Sequence, residues 1–208
     1  MLRALAILAL SATLPLGCKH DTPPPTSGAN KSSTATTKPP AAAAAPAVAA
    51  AERAFGVLKK ALGKRLKEAL AQGGPAAAVR VCRDVAQKVT AQVAAAQGIA
   101  IGRTSHKLRN AANKPRAWAA PYVARAAAGD KTVRAGAVVQ LGGGRVGVLR
   151  PIGTVGVCLK CHGDAKTIAP ALQKEISAAY PQDHAVGFAA GDLRGFFWAE
   201  VPPSAYKK

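Results

Sequence analysis

Residues 133–152 read VRAGAVVQLGGGRVGVLRPI, and this stretch decides the fold of the 208-residue chain. Apolar residues alternate with other residues up to Leu141 and again from Val146, on either side of the three glycines at 142–144. Such alternation is typical of a strand with one buried face, and a glycine-rich connection is typical of a tight turn. The stretch therefore predicts a β-hairpin.

Two amphipathic helices are predicted before the hairpin. The first has apolar residues at three- and four-residue spacing and ends at Gly73-Gly74. The second begins at Pro75, a residue suited to the first turn of a helix, and ends at Gly98. Its apolar face consists of Val79, Cys82, Val85, Ala86, Val89 and Val93. Because Cys82 shares this face, we expect its thiol to point inward.

Shorter elements are predicted around the hairpin. They are a strand at 99–102, a helix at 115–128 with Trp118 and Tyr122, a helix through Ile168, Leu172 and Ile176, and a final strand at 193–201. Helices combined with an antiparallel sheet make an α+β domain, which is the fold class that we expect.

A C-x-x-C-H motif follows the hairpin, because residues 158–162 read CLKCH. The two thiols, Cys158 and Cys161, can each form a thioether with one haem vinyl group. The adjoining imidazole of His162 can then bind the iron as an axial ligand. The motif therefore predicts a single, covalently attached c-type haem.

Other interpretations of the motif are weaker but stay open. A redox-active thiol pair needs its first cysteine at a helix N-terminus, whereas Cys158 follows a Gly- and Val-rich run. A zinc site needs a complete ligand set, and His184 is the only histidine downstream of the motif. A disulfide between Cys158 and Cys161 would be short and strained.

The N-terminus resembles an export signal of the lipoprotein type. A basic start and a short apolar run lead to Gly17-Cys18, where cleavage and lipidation of Cys18 would occur. We therefore expect residues 1–18 to be a signal peptide and the protein to be exported to the periplasm or cell envelope. Residues 19–50, rich in Pro, Ala, Ser and Thr, predict a disordered linker. Residues 51–208 then form the folded haem domain.

The choice of candidates for the second axial ligand is limited by the absence of a suitable methionine. The only methionine is Met1, which leaves with the signal peptide, so the His/Met ligation of many small cytochromes c is excluded. The candidates are Cys82, His106, His184, a lysine or an open position. Cysteine arithmetic favours Cys82, because the other cysteines have roles. A small core residue is nevertheless the commoner role of a free cysteine.

The charge of the chain constrains its partners. A formal net charge of +19 would suggest nucleic acid in a cytoplasmic protein, but an exported protein meets anionic lipid, acidic polymers or acidic redox partners instead. A generally basic solvated surface explains the charge equally well. Candidates for pairing with haem propionates are Arg103, Lys107, Arg109 and Arg116.

Four segments, in order along the chain, carry a family resemblance. They are GPAAAVRVCRDVA at 74–86, RTSHKLRNAAN at 103–113, CLKCHG at 158–163 and YPQDHAVGFAAGDLRG at 180–195. With these segments, the chain resembles a family of exported c-type haem domains with a PAS-like fold, first described in cyanobacteria and often labelled only as a domain of unknown function.

The resemblance implies a PAS-like antiparallel sheet flanked by N-terminal helices, with one c-type haem. It also implies that His162 and Cys82 are the two axial ligands, because Cys82 matches the family's cysteine in the helix before the Arg-Thr-Ser motif. The chain departs from the family locally: His106 stands where an apolar residue is expected, and Phe196-Phe197 replaces smaller residues.

The function expected from these observations is redox or small-ligand sensing through a His/Cys-ligated haem. An electron-transfer cytochrome c is the first alternative, and a thiol oxidoreductase or zinc-binding module is the second. No acid and base pair, nucleophile triad or phosphate loop supports hydrolytic chemistry, so an enzyme is the less favoured class. We expect any signal to pass to a separate redox or signalling protein.

Overall fold

A four-stranded antiparallel sheet is the centre of the fold. The computed structural model describes residues 41–207. Its strands are β1 (Ala100–Thr104), β2 (Ala137–Gln140), β3 (Val146–Gly153) and β4 (Leu193–Val201), in the spatial order β1-β4-β3-β2. The predicted hairpin consists of β2 and β3, with Gln140 opposite Val146 at its closed end. The predicted α+β class is confirmed.

Five α-helices accompany the sheet in the described part of the chain. They are α1 (Ala41–Asp84), α2 (Ala86–Gln97), α3 (Ala120–Ala127), α4 (Gly156–His162) and α5 (Pro170–Ala179). Single 3₁₀ turns span Ala111–Asn113, Lys131–Ala135, Gly142–Gly144, Ala165–Thr167 and Pro203–Ala205. Between residues 41 and 207, no helix has both the length and the apolar character that crossing a bilayer requires.

The helical geometry changes at both glycine positions where the sequence predicts a helix end. The helical geometry of α1 breaks at Gly73 and Gly74, and Gly74 has a φ of 63°. At the end of α2, Gly98 adopts a left-handed conformation with a φ of 62°, and its N–H bonds to carbonyls of the last turn. A positive φ costs little for glycine but more for other residues. Gly74 therefore breaks the helical geometry within α1, and Gly98 ends α2.

Both faces of the sheet are covered. Helices α1 and α2 pack Phe55, Leu58 and Val93 against Val148 on one face, with the Phe55 ring 5.6 Å from the Phe197 ring. The other face is covered by the chain around α3, and its core consists of Ala119, Val123, Val133, Leu149 and Phe196. Each large side chain removed from water in this way contributes about 1.5–3 kcal/mol.

The predicted linker ends earlier than expected. Helix α1 begins at Ala41, and Ala47 and Ala50 are buried against the core beneath α2 and the sheet. Small alanine side chains allow close packing. The resulting contacts offset the conformational entropy that this segment loses when it becomes ordered. The prediction of a disordered linker is therefore wrong for residues 41–50. The signal peptide, Cys18 and residues 19–40 lie outside the described residues.

The predicted strand from Val133 is shorter than the alternation suggests. Lys131–Ala135 is a 3₁₀ turn, in which an Asp130 side-chain oxygen accepts the N–H of Thr132 at 2.8 Å. Gly136, with a φ of 75°, separates the turn from β2. Local hydrogen bonding thus prevails over the alternating pattern. The predicted helix at 115–128 is likewise regular only from Ala120 onward.

Glu200 is a buried carboxylate on β4 surrounded by donors. Arg116 Nε donates to Oε1 at 2.8 Å, Trp118 Nε1 donates to Oε1 at 2.9 Å, and Arg145 Nη1 donates to Oε2 at 3.1 Å. Burial alone would raise the pKa of Glu200, but the hydrogen bonds from Arg116 and Trp118 and the two arginine charges outweigh it, so the net pKa is lowered.

Replacing Glu200 by Gln is expected to lower the free energy of unfolding at pH 7 by about 1–3 kcal/mol. Because the folded pKa lies below the unfolded value of about 4.3, the charged form stabilises the fold above that pH, and this contribution is lost as the pH falls through the folded pKa. Urea unfolding of both proteins at several pH values should show the difference shrinking in acid. An equal difference throughout would contradict this account of the Glu200 site.

Candidate functional site

Helix α4 carries the whole C-x-x-C-H motif. It begins at Gly156, shortly after β3, and His162 is its last residue. Backbone hydrogen bonds join its end to a loop that follows α5. Phe188 N–H donates to the His162 carbonyl at 3.0 Å, and Gly187 N–H donates to the Gly163 carbonyl at 2.8 Å. This loop therefore fixes the C-terminal end of the motif.

Cys158 lies in the first turn of α4, so the expectation that it is not at a helix N-terminus is wrong. Val155 is extended, with a φ of −113° and a ψ of 166°, which lets the chain leave the strand and begin a helix at Gly156. The sulfurs of Cys158 and Cys161 form no disulfide, and both residues are partly buried. This placement keeps the thiol oxidoreductase alternative open on geometry.

The His162 ring is held in one orientation. Its Nδ1 lies 2.7 Å from the Ala185 carbonyl oxygen. Because a carbonyl oxygen only accepts, Nδ1 carries the proton and Nε2 keeps its lone pair. Burial lowers the pKa of His162 to about 3, and the charges of Arg194 and Arg109 act in the same direction. The imidazole is therefore neutral at pH 7, which is the form that binds a metal.

An ion pair connects the motif to the loop whose Ala185 carbonyl accepts the hydrogen bond from His162. Arg109 Nη2 lies 2.9 Å from Asp183 Oδ2, and the two side chains are only 10% and 11% exposed. The same guanidinium donates to the Cys161 carbonyl at 2.6 Å and to the Ala185 carbonyl at 3.3 Å. The other Asp183 oxygen accepts the Ala185 N–H at 2.8 Å.

Cys82 does not point into the core, so that prediction is wrong. Its side chain is exposed. Helix periodicity placed Cys82 on the same face as the core residues of α2, but Val79, which precedes it on that face, packs in a cluster with Leu172 and Ile176 of α5 instead of the sheet. The effect of Cys82 on the pKa of Cys161 places the two thiols near each other.

The surroundings of Cys82 are basic. Although the side chain reaches solvent, enough protein surrounds it that burial raises its pKa, against the lowering effect of Arg103, Arg109 and Arg194. A charge on Cys82 in turn contributes to the raised pKa of Cys161, where burial is the main cause. The thiols of the motif and of α1, which are distant in sequence, therefore lie within electrostatic range of each other.

The nearby arginines differ in their partners. Arg109 is paired with Asp183, whereas the Arg103 side chain has no hydrogen-bond or ion-pair partner among residues 41–207. Arg194 donates to Ser105 Oγ at 3.2 Å and lies over the Phe188 ring, and burial lowers its pKa to about 10. These basic groups outnumber the nearby carboxylates, so the site favours an anionic ligand.

The remaining propionate candidates have other partners. Arg116 is engaged with Glu200, in the group of donors around β4. Lys107 Nζ donates to the Val186 carbonyl at 3.3 Å and lies over the Phe188 ring. Arg103 is therefore the better of the four candidates, and Arg194, which was not predicted from the sequence, adds a charge that acts on His162.

The alternative histidine ligands differ in position: His106 packs on the same Phe188 ring as His162, whose ring centroid lies 6.5 Å from that of Phe188, whereas His184 does not. His184 is exposed, and its backbone N–H donates to the Leu108 carbonyl at 2.8 Å. His106 packs edge-on against Phe188 with ring centroids 5.8 Å apart, and its Nδ1 is buried with no hydrogen-bond partner in the described part of the chain. Within residues 41–207, no three His, Cys, Asp or Glu side chains converge as metal ligands, so the zinc alternative lacks a ligand set.

Several residues of the site had no role assigned from the sequence. Asp183, Phe188 and Arg194 lie within the segment 180–195 that carried the family resemblance, and Tyr180 begins it. Burial raises the pKa of Tyr180 to about 12, and Cys82 contributes to this shift. The resemblance marked this segment, but their contacts with α4 depend on tertiary structure.

Comparisons with known proteins show the family of this chain. The family model described as Tll0287-like matches residues 29–202. Among solved structures, the chain is similar to the cyanobacterial heme-protein Tll0287, with 25% identity, a TM-score of 0.51, and coverage of 78% of this chain and 96% of that chain. Comparison with curated proteins gives no match. Because the family model covers more than half of its residues, the chain belongs to the Tll0287-like family.

Proposed function

We propose that this protein binds one haem covalently through Cys158 and Cys161, with His162 and Cys82 as axial ligands, and that it acts in redox or small-ligand sensing. The observation that carries the proposal is the juxtaposition of a neutral imidazole, fixed through Nδ1 with Nε2 left to bind iron, with the thiols of Cys161 and Cys82. The similarity to a heme-protein supports the same cofactor.

The residues at the site fit the chemistry of a haem. A porphyrin needs apolar contacts, and Ile168, Leu172 and Ile176 form an apolar cluster that Cys161 touches. Its propionates need cationic partners, which Arg103 and Arg194 would supply. The two thiols of the motif would form the thioethers. Haem supplies a redox-active iron whose preference for an anionic sulfur ligand is greater when it is ferric.

The position of Cys82 supports a sensing role. The charges of Arg103, Arg109 and Arg194 favour the thiolate, while burial disfavours it, so the two effects oppose each other at this residue. Cys82 would therefore bind ferric iron and leave the ferrous iron open to an external ligand.

We assign the domain to the PAS-like class and the protein to the cell envelope. The antiparallel sheet with N-terminal helices supports the first assignment. The sequence of residues 1–18, which ends in Cys18, supports export and a lipid anchor. An anchored basic protein would meet anionic lipid and an acidic redox or signalling partner rather than nucleic acid.

Electron transfer is the second candidate, and one observation favours it. Val155, just before α4, is 58% exposed, and Val157, in its first turn beside Cys158, is 48% exposed. Exposed apolar side chains beside a haem attachment site would suit transient docking of a redox protein. An electron carrier would keep the same two ligands in both oxidation states.

Absorption spectra of the Cys82→Ala and His106→Ala variants would test the proposal. The proteins are made in a host with cytochrome c maturation, and ferric and ferrous forms are recorded with and without carbon monoxide. We expect Cys82→Ala to lose the ferric low-spin spectrum of the wild type, and His106→Ala to keep it. We also expect the ferrous wild type to bind carbon monoxide.

Two results would count against the proposal. An unchanged ferric spectrum in Cys82→Ala would mean that Cys82 is not a ligand. Retention of both ligands in the ferrous wild type, with no carbon monoxide adduct, would favour the electron-transfer candidate over sensing.

A further inference from the structure

We infer that Arg109 and Asp183 are positioning residues for His162. Their ion pair holds the Ala185 carbonyl, and this carbonyl fixes the His162 ring through Nδ1, so that Nε2 would be free to bind the cofactor. The inference rests on the proposed haem function, which it deepens by naming the residues that orient the proximal ligand.

The contacts form a continuous chain from the ion pair to the imidazole. Arg109 donates to the Ala185 carbonyl, and Asp183 accepts the Ala185 N–H at 2.8 Å, so one peptide group on each side of Ala185 is held. The Ala185 carbonyl oxygen then lies 2.7 Å from His162 Nδ1. Ala185 itself is fully buried, so this carbonyl has little freedom to move.

Helix α4 needs such an external restraint. It has only seven residues and no side-chain cap at its N-terminus, and short helices are marginal in isolation. His162 is its last residue, where helices fray most easily. The hydrogen bond from Arg109 Nη2 to the Cys161 carbonyl, at 2.6 Å, holds the main chain immediately before His162. One guanidinium therefore restrains both the end of the helix and the carbonyl that accepts the hydrogen bond from His162 Nδ1.

A fixed hydrogen bond to the proximal histidine has a chemical consequence. It selects the tautomer, prevents rotation of the ring, and makes the imidazole a stronger donor to the metal. Without Arg109, the Ala185 carbonyl would lose a donor, and Asp183 would be a buried carboxylate without its partner. The His162 ring would then sample several orientations.

The chain offers a matched control in the pair formed by Arg116 and Glu200. That pair also joins an arginine to a buried carboxylate, with Arg116 Nε 2.8 Å from Glu200 Oε1. It holds no residue of the C-x-x-C-H site. Its loss should lower the stability of the fold and leave the environment of His162 unchanged.

The test is made on the haem-loaded full-length protein. The variants are Arg109→Gln, Asp183→Asn and Arg109→Lys, with Arg116→Gln as the control. Three quantities are measured: the haem that stays bound after denaturation, the ferric electron paramagnetic resonance spectrum, and the melting temperature. We expect the first two variants to shift and broaden the low-spin signal. The lysine variant should lie between them and the wild type, and the control should lower only the melting temperature.

The outcomes distinguish this inference from the function on which it rests. A wild type without covalent haem would contradict the proposed function. With haem bound, wild-type resonance spectra in both Arg109→Gln and Asp183→Asn would contradict the positioning role, whatever their melting temperatures. If Arg109→Gln does not accumulate, Asp183→Asn decides alone, because asparagine keeps the shape of the side chain while it removes the charge and replaces one acceptor oxygen by a donor.

Discussion

In the Cys158→Ala/Cys161→Ala variant, we expect no haem to stay attached to the denatured chain, whereas the wild-type chain keeps its haem. The reason is chemical, because each thioether needs one of these sulfurs and a coordinate bond from His162 does not survive denaturation. Haem-dependent peroxidase staining of a denaturing gel measures the difference directly. The loss should be complete.

Cys82→Ala is the matched control for this experiment, because it also removes one sulfur from the site. Cys82 lies on α1, outside the C-x-x-C-H motif, so this variant should keep full staining. Staining of the double variant, or its loss from Cys82→Ala, would show that the sulfurs have been assigned to the wrong roles.

The second large effect is expected from Arg109→Leu. Removing one partner of a buried ion pair leaves the other charge without compensation, and we expect the free energy of unfolding to fall by about 3–5 kcal/mol. Asp183 is 11% exposed, so water can replace the guanidinium only in part. Equilibrium unfolding in urea, followed by circular dichroism, measures this change.

Two comparisons give this measurement its control. Arg125→Leu removes an ion pair with Asp130 in which Arg125 is 51% exposed, and it should cost far less. Adding Asp183→Asn to Arg109→Leu should recover part of the lost stability, because the unpaired charge is removed. Equal losses for Arg109→Leu and Arg125→Leu would contradict the buried ion pair.

The sheet was predictable because its signals are local. Alternating apolar residues with three glycines between them specify the hairpin of β2 and β3. The last strand, Leu193–Val201, has the predicted bounds. The break in α1 at Gly74 and the end of α2 at Gly98 follow from the conformational freedom of glycine, which a sequence shows directly. The C-x-x-C-H motif is equally local, since the residues that predict haem attachment lie within five consecutive positions.

The errors arose where tertiary contacts decide. The alanine-rich start of α1 has the composition of a linker, and only burial of Ala47 and Ala50 makes it part of the domain. Periodicity placed Cys82 on the same helix face as Val79, but it could not show that Val79 packs with α5 instead of the sheet and that Cys82 is exposed.

The ion pair of Arg109 and Asp183 could not be inferred from the sequence for a similar reason. The two residues are 74 positions apart, and neither lies in a pattern with a known ligand. Arg109 was considered only as a partner for haem propionates. The structure instead gives it a carboxylate partner and two carbonyl acceptors. Among the described residues, this leaves Arg103 and Arg194 without a carboxylate partner.

The central claim is that this chain carries one haem bound covalently through its C-x-x-C-H helix. The most direct measurement is the intact mass of the denatured wild-type protein, made in a host with cytochrome c maturation, together with its reduced spectrum in alkaline pyridine. The account predicts a mass larger than that of the polypeptide by one haem, and a spectrum typical of two thioethers. A mass equal to that of the polypeptide alone would contradict it.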